Sequence, residues 1–272
     1  MTTQELFDYF YRQAHWVSPE SKADAVRYGD PNTPVIKVGT GWIDSVDNLA
    51  AAAADGCNVF ISHEIPFSWE KNTGREQTAW YRKRMRILEE SGMVLMNLHD
   101  TWDHFPRIGV RDGFAQLLGL TELVEELDYI HPFSDKVTTG HNSLGIYRIP
   151  PMTAEKFAQY MCERIAAVKA PGLCLNGDPS LMVEKVAIGV GCHVPSLESI
   201  SAGAQLLVDV YDRHFQQHSR IPLSENDVAV ITVEHSVAET YSMKLMADHI
   251  RDVLDIDATY YNNEPVGKYY TL

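Results

Sequence analysis

Apolar residues recur along the chain in two rhythms, one helical and one suited to strands. Leu6, Phe7, Phe10 and Tyr11 fall at helical spacing and predict a helix over 4–15. A polar, turn-rich stretch follows at 17–33. VIKVGTGWI (35–43) alternates and is rich in β-branched residues, which predicts a strand. VDNLAAAAADG (46–56) reads as a short helix, with Asp47 near its start as the cap and Gly56 as the stop. CNVFIS (57–62) is a short apolar run and reads as a buried strand. Strand, helix, strand in that order predicts a right-handed βαβ unit on a parallel sheet.

The alternation then repeats. Helices are expected over 76–91, ending at Gly92, and over 107–119, with the buried strand MVLMNL (93–98) between them. The segment 121–150 is turn-rich and contains the strand SLGIYRI (143–149). A helix capped by Thr153 covers 153–168, and KVAIGVG (185–191) is a strand running into glycine. A short helix at 196–203, strands at 204–211 and 227–233, a long amphipathic helix at 236–254 and a last strand at 257–261 complete the pattern. The fold class is α/β. Both halves carry strand–helix–strand units, so two similar lobes are expected, approximately 1–125 and 126–272, within a single domain.

Composition narrows the class. Of 272 residues, 45% are hydrophobic, enough for a sizeable core. No run approaches the ~18 apolar residues of a membrane helix. The opening MTTQELFDYFYRQAHW lacks the pattern of a secretion signal, so the expectation is a cytoplasmic protein without a membrane partner. Cys57, Cys162, Cys174 and Cys192 form no CxxC pair; Cys57 and Cys174 sit in apolar surroundings and read as buried thiols. A net charge of −14 repels nucleic acid. Arg82, Lys83, Arg84 and Arg86 form the longest basic cluster. It reads as a solvated helix face; the alternative is a rim that attracts an anionic substrate.

Metal-type ligands fall after three predicted buried strands, where α/β sheets bind ligands. His63 and Glu64 follow the first. His99, Asp100, Asp103 and His104 crowd the exit of the second. Glu234 and His235 end the third, and Glu239 lies four residues beyond His235, a spacing that turns both side chains to one centre on a helix. Each segment alone reads equally as a charged loop or a helix cap, but chance does not readily repeat the cluster at three equivalent exits. His63, Glu64, Asp103, His235 and Glu239 exceed the three ligands of one catalytic zinc. They suit two divalent ions that share a water.

These segments also carry a resemblance. Ser62-His63-Glu64-Ile65-Pro66, the His99-to-Asp103 stretch and the His235-to-Glu239 stretch follow the order found in the Nif-three-like family. Bacterial members of that family are often labelled type 2 GTP cyclohydrolase I. The Asp44 lead-in, Gly119-Leu120 and the Gly189-Val190-Gly191 turn fit as well, so the likeness spans roughly residues 35–250. It implies two α/β lobes with a dinuclear site in the cleft between them, and a homohexamer. It also implies metal ligands at His63, Glu64, Asp103, His235 and Glu239, with His99 beside the metals as a general acid or base. The sequence departs from the family at Glu64, which replaces a histidine and shifts the expected preference from zinc toward manganese, iron or magnesium. The Thr-Gly-acid stretch of the family has no clear counterpart in LLVDVYDRHFQQH (206–218), and Asp209, Asp212 and His214 read as surface residues; the alternative is that they approach the site.

The function expected is a metal-dependent hydrolase with two divalent ions (Fe, Mn or Zn) acting on a small nucleotide-like or cyclic amide substrate. The alternative is a non-catalytic metal-binding regulatory or scaffold protein. A dinucleotide-binding reading fails, because after Gly189 and Gly191 the next glycine is Gly203 and the GxGxxG pattern is not completed.

Overall fold

Short-range signals set most element ends in the computed structural model, which describes residues 1–64, 76, 78–128, 143–191, 194–211 and 227–263. In chain order the elements begin with α1 (Thr3–Tyr11), β1 (Ala25–Tyr28), β2 (Lys37–Gly41), α2 (Val46–Ala54), β3 (Val59–Ser62), α3 (Ala79–Ser91), β4 (Val94–Asn97), α4 (Asp100–Asp103) and α5 (Val110–Leu117). They continue with β5 (Glu122–Leu127), β6 (Leu144–Thr153), α6 (Ala154–Ile165), β7 (Cys174–Asn176), β8 (Met182–Gly189) and α7 (Ser196–Ser201). The last are β9 (Leu206–Tyr211), β10 (Ala229–Glu234), α8 (His235–Leu254) and β11 (Asp257–Tyr260).

Caps explain the helix starts. Thr2 and Glu5 form a reciprocal capping box on α1, and Thr153 accepts from the Lys156 amide at the start of α6. The cap of α2 is Ser45, which accepts from Asn48 N at 3.1 Å; Asp47, expected as the cap, lies inside the first turn. Gly92 ends α3 in the left-handed conformation, at φ 65°.

The chain divides into two units, one built mainly from Met1–Phe105 and Ser242–Pro265, the other mainly from Pro106–Asp135 and Thr139–Tyr241. The expected boundary near 125 falls inside the second unit, because Phe114, Leu117 and Leu118 belong to that unit's core.

In the first unit a five-stranded sheet has the order β1-β4-β3-β2-β11. All neighbours are parallel except β1, which pairs antiparallel with β4. The βαβ unit of β2, α2 and β3 is therefore present. Leu49 and Ala52 of α2 pack with Phe60, Leu88 and Leu95. In the second unit the order is β5-β6-β8-β9-β10-β7, with β8, β9 and β10 parallel. Its central strands are covered on both faces: Val208 and Ile231 pack with Phe157 and Met161 of α6, while Leu207 and Val230 pack with Val194, Ile200 and Ala204 around α7.

Four features depart from expectation. β1 lies within the stretch read as turn-rich; all its positions are half-buried, and its partner is 70 residues away, so no local pattern announces it. β7 is a three-residue edge strand, and Cys174 on it is exposed rather than buried, whereas Cys57 is buried as expected. Arg84 is not on the solvated face: it is buried, donates to Asp44 O at 2.7 Å and lies over the Trp80 ring at 4.8 Å. Helix α8 starts at His235, one residue before the expected Ser236.

The cap assignment is testable. Ser45→Ala should cost about 1 kcal/mol in urea denaturation, the usual value of an N-cap oxygen, and Asp47→Ala clearly less.

Candidate metal centre

Parallel pairing delivers the first ligand set. Ser62 is opposite Gly41 on β2 and Asn97 on β4, so β3 and β4 end level. His63 N then turns onto Gly41 O and Trp42 O, Glu64 N onto Trp42 O at 2.8 Å, and Leu98 N onto Ser62 O at 3.1 Å. These bonds replace ladder bonds at the sheet edge and fix where His63 and His99 leave it.

The His63 side chain is fully buried. Its Nδ1 lies 3.2 Å from Leu98 O, and a carbonyl only accepts, so Nδ1 carries the proton in this bond. The other nitrogen, Nε2, is directed at Asp103 Oδ1, 3.4 Å away. The His99 ring stacks on His63 with centroids 4.7 Å apart and planes 5° from parallel. His99 Nδ1 donates to Asp100 Oδ1 at 2.8 Å and lies 3.7 Å from Asp103 Oδ2. His99, Asp100 and Asp103 each bring a ligand atom within 4.8 Å of the others.

The electrostatics follow from this crowding. Burial by itself lowers the His99 pKa, but the Asp103 charge, the bond to Asp100 and the charges of Glu64 and Asp100 together raise it well above the ordinary value. Asp100 moves the other way. Burial raises its pKa, while the His99 bond and charge, the Ser21 bond and the His63 ring bring it below the carboxylate norm.

The second unit presents another imidazole–carboxylate pair. β10 ends at Glu234, and α8 begins at once with His235. One helical turn on, Glu239 Oε1 lies 2.8 Å from His235 Nε2; the glutamate side chain is 2% exposed. Gly191, after β8, stands against the same carboxylate. Its φ is +55°, and a Cβ there would meet Glu239 Oε1 at 2.9 Å. The bare glycine thus leaves room for this oxygen.

These donors fit a divalent cation. A metal-binding imidazole typically fixes its other nitrogen on a carbonyl or carboxylate, as His63 does on Leu98 O. His63 Nε2 and Asp103 Oδ1 stand 3.4 Å apart, close enough for both to ligate one ion.

Of the residues singled out in the sequence, His63, His99 and Asp103 meet in the first unit, with the charge of Glu64 acting on His99, and His235 meets Glu239 in the second. His104 closes α4 as its C-cap residue. Asp209 is on β9, half-buried, with its own carboxylate accepting from Val210 N at 3.0 Å. Asp212 and His214, like Ile65 and Pro66 of the first motif, lie outside the described residues. Sequence reasoning missed Asn97, whose amide donates to Glu64 O at 2.9 Å, and Gly191 as the space beside Glu239. Asn97 lies inside the run MVLMNL, and its bond to Glu64 O joins positions 33 residues apart, so nothing local marks it.

Three comparisons bear on the family. The profile of Duf34/NIF3 (NGG1p interacting factor 3) matches residues 22–265. A Chlamydia pneumoniae protein named GTP cyclohydrolase 1 type 2 homolog is 23% identical over 239 residues, covering 87% of this chain and 88% of that protein. Among solved structures, a Bacillus cereus protein related to NIF3 has a TM-score of 0.76 at 14% identity, over 100% of this chain and 99% of that one. A Staphylococcus aureus hypothetical protein has a TM-score of 0.75 at 18% identity, over 99% of both chains. At such identities the structural likeness shows the fold.

The raised His99 pKa has a signed consequence for the metal-free protein. Its contribution to stability is fully present below the ordinary imidazole value of 6.5 and is lost as pH rises through the higher folded-state value. Urea midpoints of the metal-free wild type should therefore fall with pH above about 6.5. That fall should be flatter in His99→Gln.

Proposed function

The chain belongs to the Duf34/NIF3 family, and we propose that it is a dinuclear metal-dependent hydrolase. In this reading His63, Glu64 and Asp103 of the first unit and His235 and Glu239 of the second supply one pair of divalent cations in a cleft between the units. Iron, manganese and zinc are the candidate ions, with the three carboxylates favouring the harder ones. The observation that carries the proposal is the His63 imidazole, buried, fixed through Nδ1 and aimed through Nε2 at Asp103. A purely structural histidine has no need of a carboxylate at a ligand-to-ligand distance on its second nitrogen.

When bound, a divalent pair acidifies water and polarises a substrate oxygen. The chain's own residues do the rest. His99 is held by Asp100 through Nδ1, which fixes the ring and leaves proton exchange to Nε2. It serves as a general acid or base. The substrate class is a small nucleotide-like or cyclic amide compound, by resemblance to the relative named GTP cyclohydrolase 1 type 2 homolog. The homohexamer implied by the Nif-three-like resemblance, and a cytoplasmic location, belong to this proposal too.

Elemental analysis of the purified protein tests the reading. Close to two transition metals per chain are expected in the wild type, with strong depletion in Asp103→Ala and Glu239→Ala. His99→Gln should keep its metal and lose about 10²–10⁴-fold in turnover, the range of a general acid. No metal above background after reconstitution with iron, manganese and zinc would contradict the proposal.

A further inference from the structure

The polar stretch before and within β1 contributes no expected ligand, yet three of its side chains reach the loops that do. We propose that Ser21, Asp24 and Arg27 form a brace that positions the two ligand loops of the first unit, with Asp24 as the principal positioning residue. The geometry of the brace rests on hydrogen bonds alone; its consequence for metal binding rests on the dinuclear reading above.

Asp24 lies immediately before β1. Its Oδ1 accepts from His99 N at 2.5 Å, and its Oδ2 accepts from Thr101 N at 3.0 Å and Thr101 Oγ1 at 2.9 Å. Helix α4 is one turn long, and its N-cap residue, His99, makes no side-chain cap. A single turn has little cooperativity to hold itself together. Its leading N–H groups are instead satisfied by a carboxylate some 75 residues earlier in the chain, placed where the partial positive charge of a helix start favours an anion. His99 and Asp103 both project from this turn.

The flanking contacts extend the same support. The Ser21 hydroxyl donates to Asp100 Oδ2, leaving Oδ1 to receive His99 Nδ1. Trp16 Nε1 donates to Asp100 O at 3.0 Å. Arg27 Nε donates to Asn97 Oδ1 at 3.0 Å, which orients that amide so that its nitrogen donates to Glu64 O. Arg27 is itself tied down through Lys22 O at 2.6 Å and the Ala23 carbonyl. Pairing of Ala25 with Asn97 and of Val26 with Met96 keeps the segment in register with the strand that leads to His99. One short segment thus touches the β4 exit directly and reaches the β3 exit through Asn97.

The test uses the full chain as wild type, Asp24→Ala, Thr101→Val and Thr2→Ala. The last loses the α1 cap of the same unit, which lies beside the start of β2 at the opposite edge of the sheet, and controls for stability. Mn²⁺ affinity is read by calorimetry, and amide exchange over residues 98–103 is read in the metal-free proteins. Asp24→Ala should weaken Mn²⁺ binding about 10–100-fold, as loss of a group orienting a ligand does, and should speed exchange at His99 and Thr101. Thr101→Val should do both to a smaller degree, and it decides the matter if Asp24→Ala does not fold. Thr2→Ala should lower the melting temperature and change neither readout. Wild-type affinity in Asp24→Ala, or an equal loss in Thr2→Ala, overturns the brace. If the wild type takes no Mn²⁺, the dinuclear reading falls and exchange alone judges the brace. Faster exchange at His99 and Thr101 only in the brace variants upholds it; unchanged exchange overturns it.

Discussion

The level ending of β3 and β4 is the constraint on which the first ligand set depends. Parallel strands share one polarity, so their carboxyl ends open on the same edge of the sheet. The pairing of Ser62 with Asn97 then makes His63 and His99 leave that edge in step, one residue and two residues beyond the last pair. A one-residue slip would turn every side chain of the slipped strand to the opposite face. It would separate the imidazoles that now stack at 4.7 Å. Register is secured by burial, since Val59, Phe60, Ile61, Val94, Leu95 and Met96 are all enclosed and each slip would expose or misplace them. The apolar strands carry no chemistry, but they set the geometry of residues that do.

Charge completes what the register begins. Glu64, Asp100 and Asp103 surround His99, and their fields outweigh the cost of burying its positive form. In the proposed dinuclear centre the same carboxylates would hold metal ions, so protons and metal would compete for this edge. The net charge of −14 has the sign that attracts cations.

Much of this was legible in the sequence, because the informative signals are local. Apolar runs marked the parallel strands, the His–x–x–x–Glu spacing marked the start of α8, and the exits of β3 and β4 named the two histidines that stack. What escaped was non-local or depended on an end effect. β1 has no periodic pattern because it is an edge strand paired with a segment 70 residues away. Asp24 sits in a stretch of ordinary polar composition, and only the fold places it against His99 and Thr101. The cap of α2 was misplaced by two residues because Ser45 and Asp47 are both good capping types, and only the backbone turn at Ser45 chooses between them. Arg84 read as a surface charge from its basic neighbours, yet one helical face takes it inward to the Asp44 carbonyl.

Anomalous diffraction from crystals grown with Mn²⁺, recorded at the manganese edge, addresses the central claim most directly. The account predicts two peaks about 3.5–4 Å apart, with His63 and Asp103 on one ion and His235 and Glu239 among the ligands of the pair. A single peak, or none near His63 Nε2, would contradict the dinuclear centre.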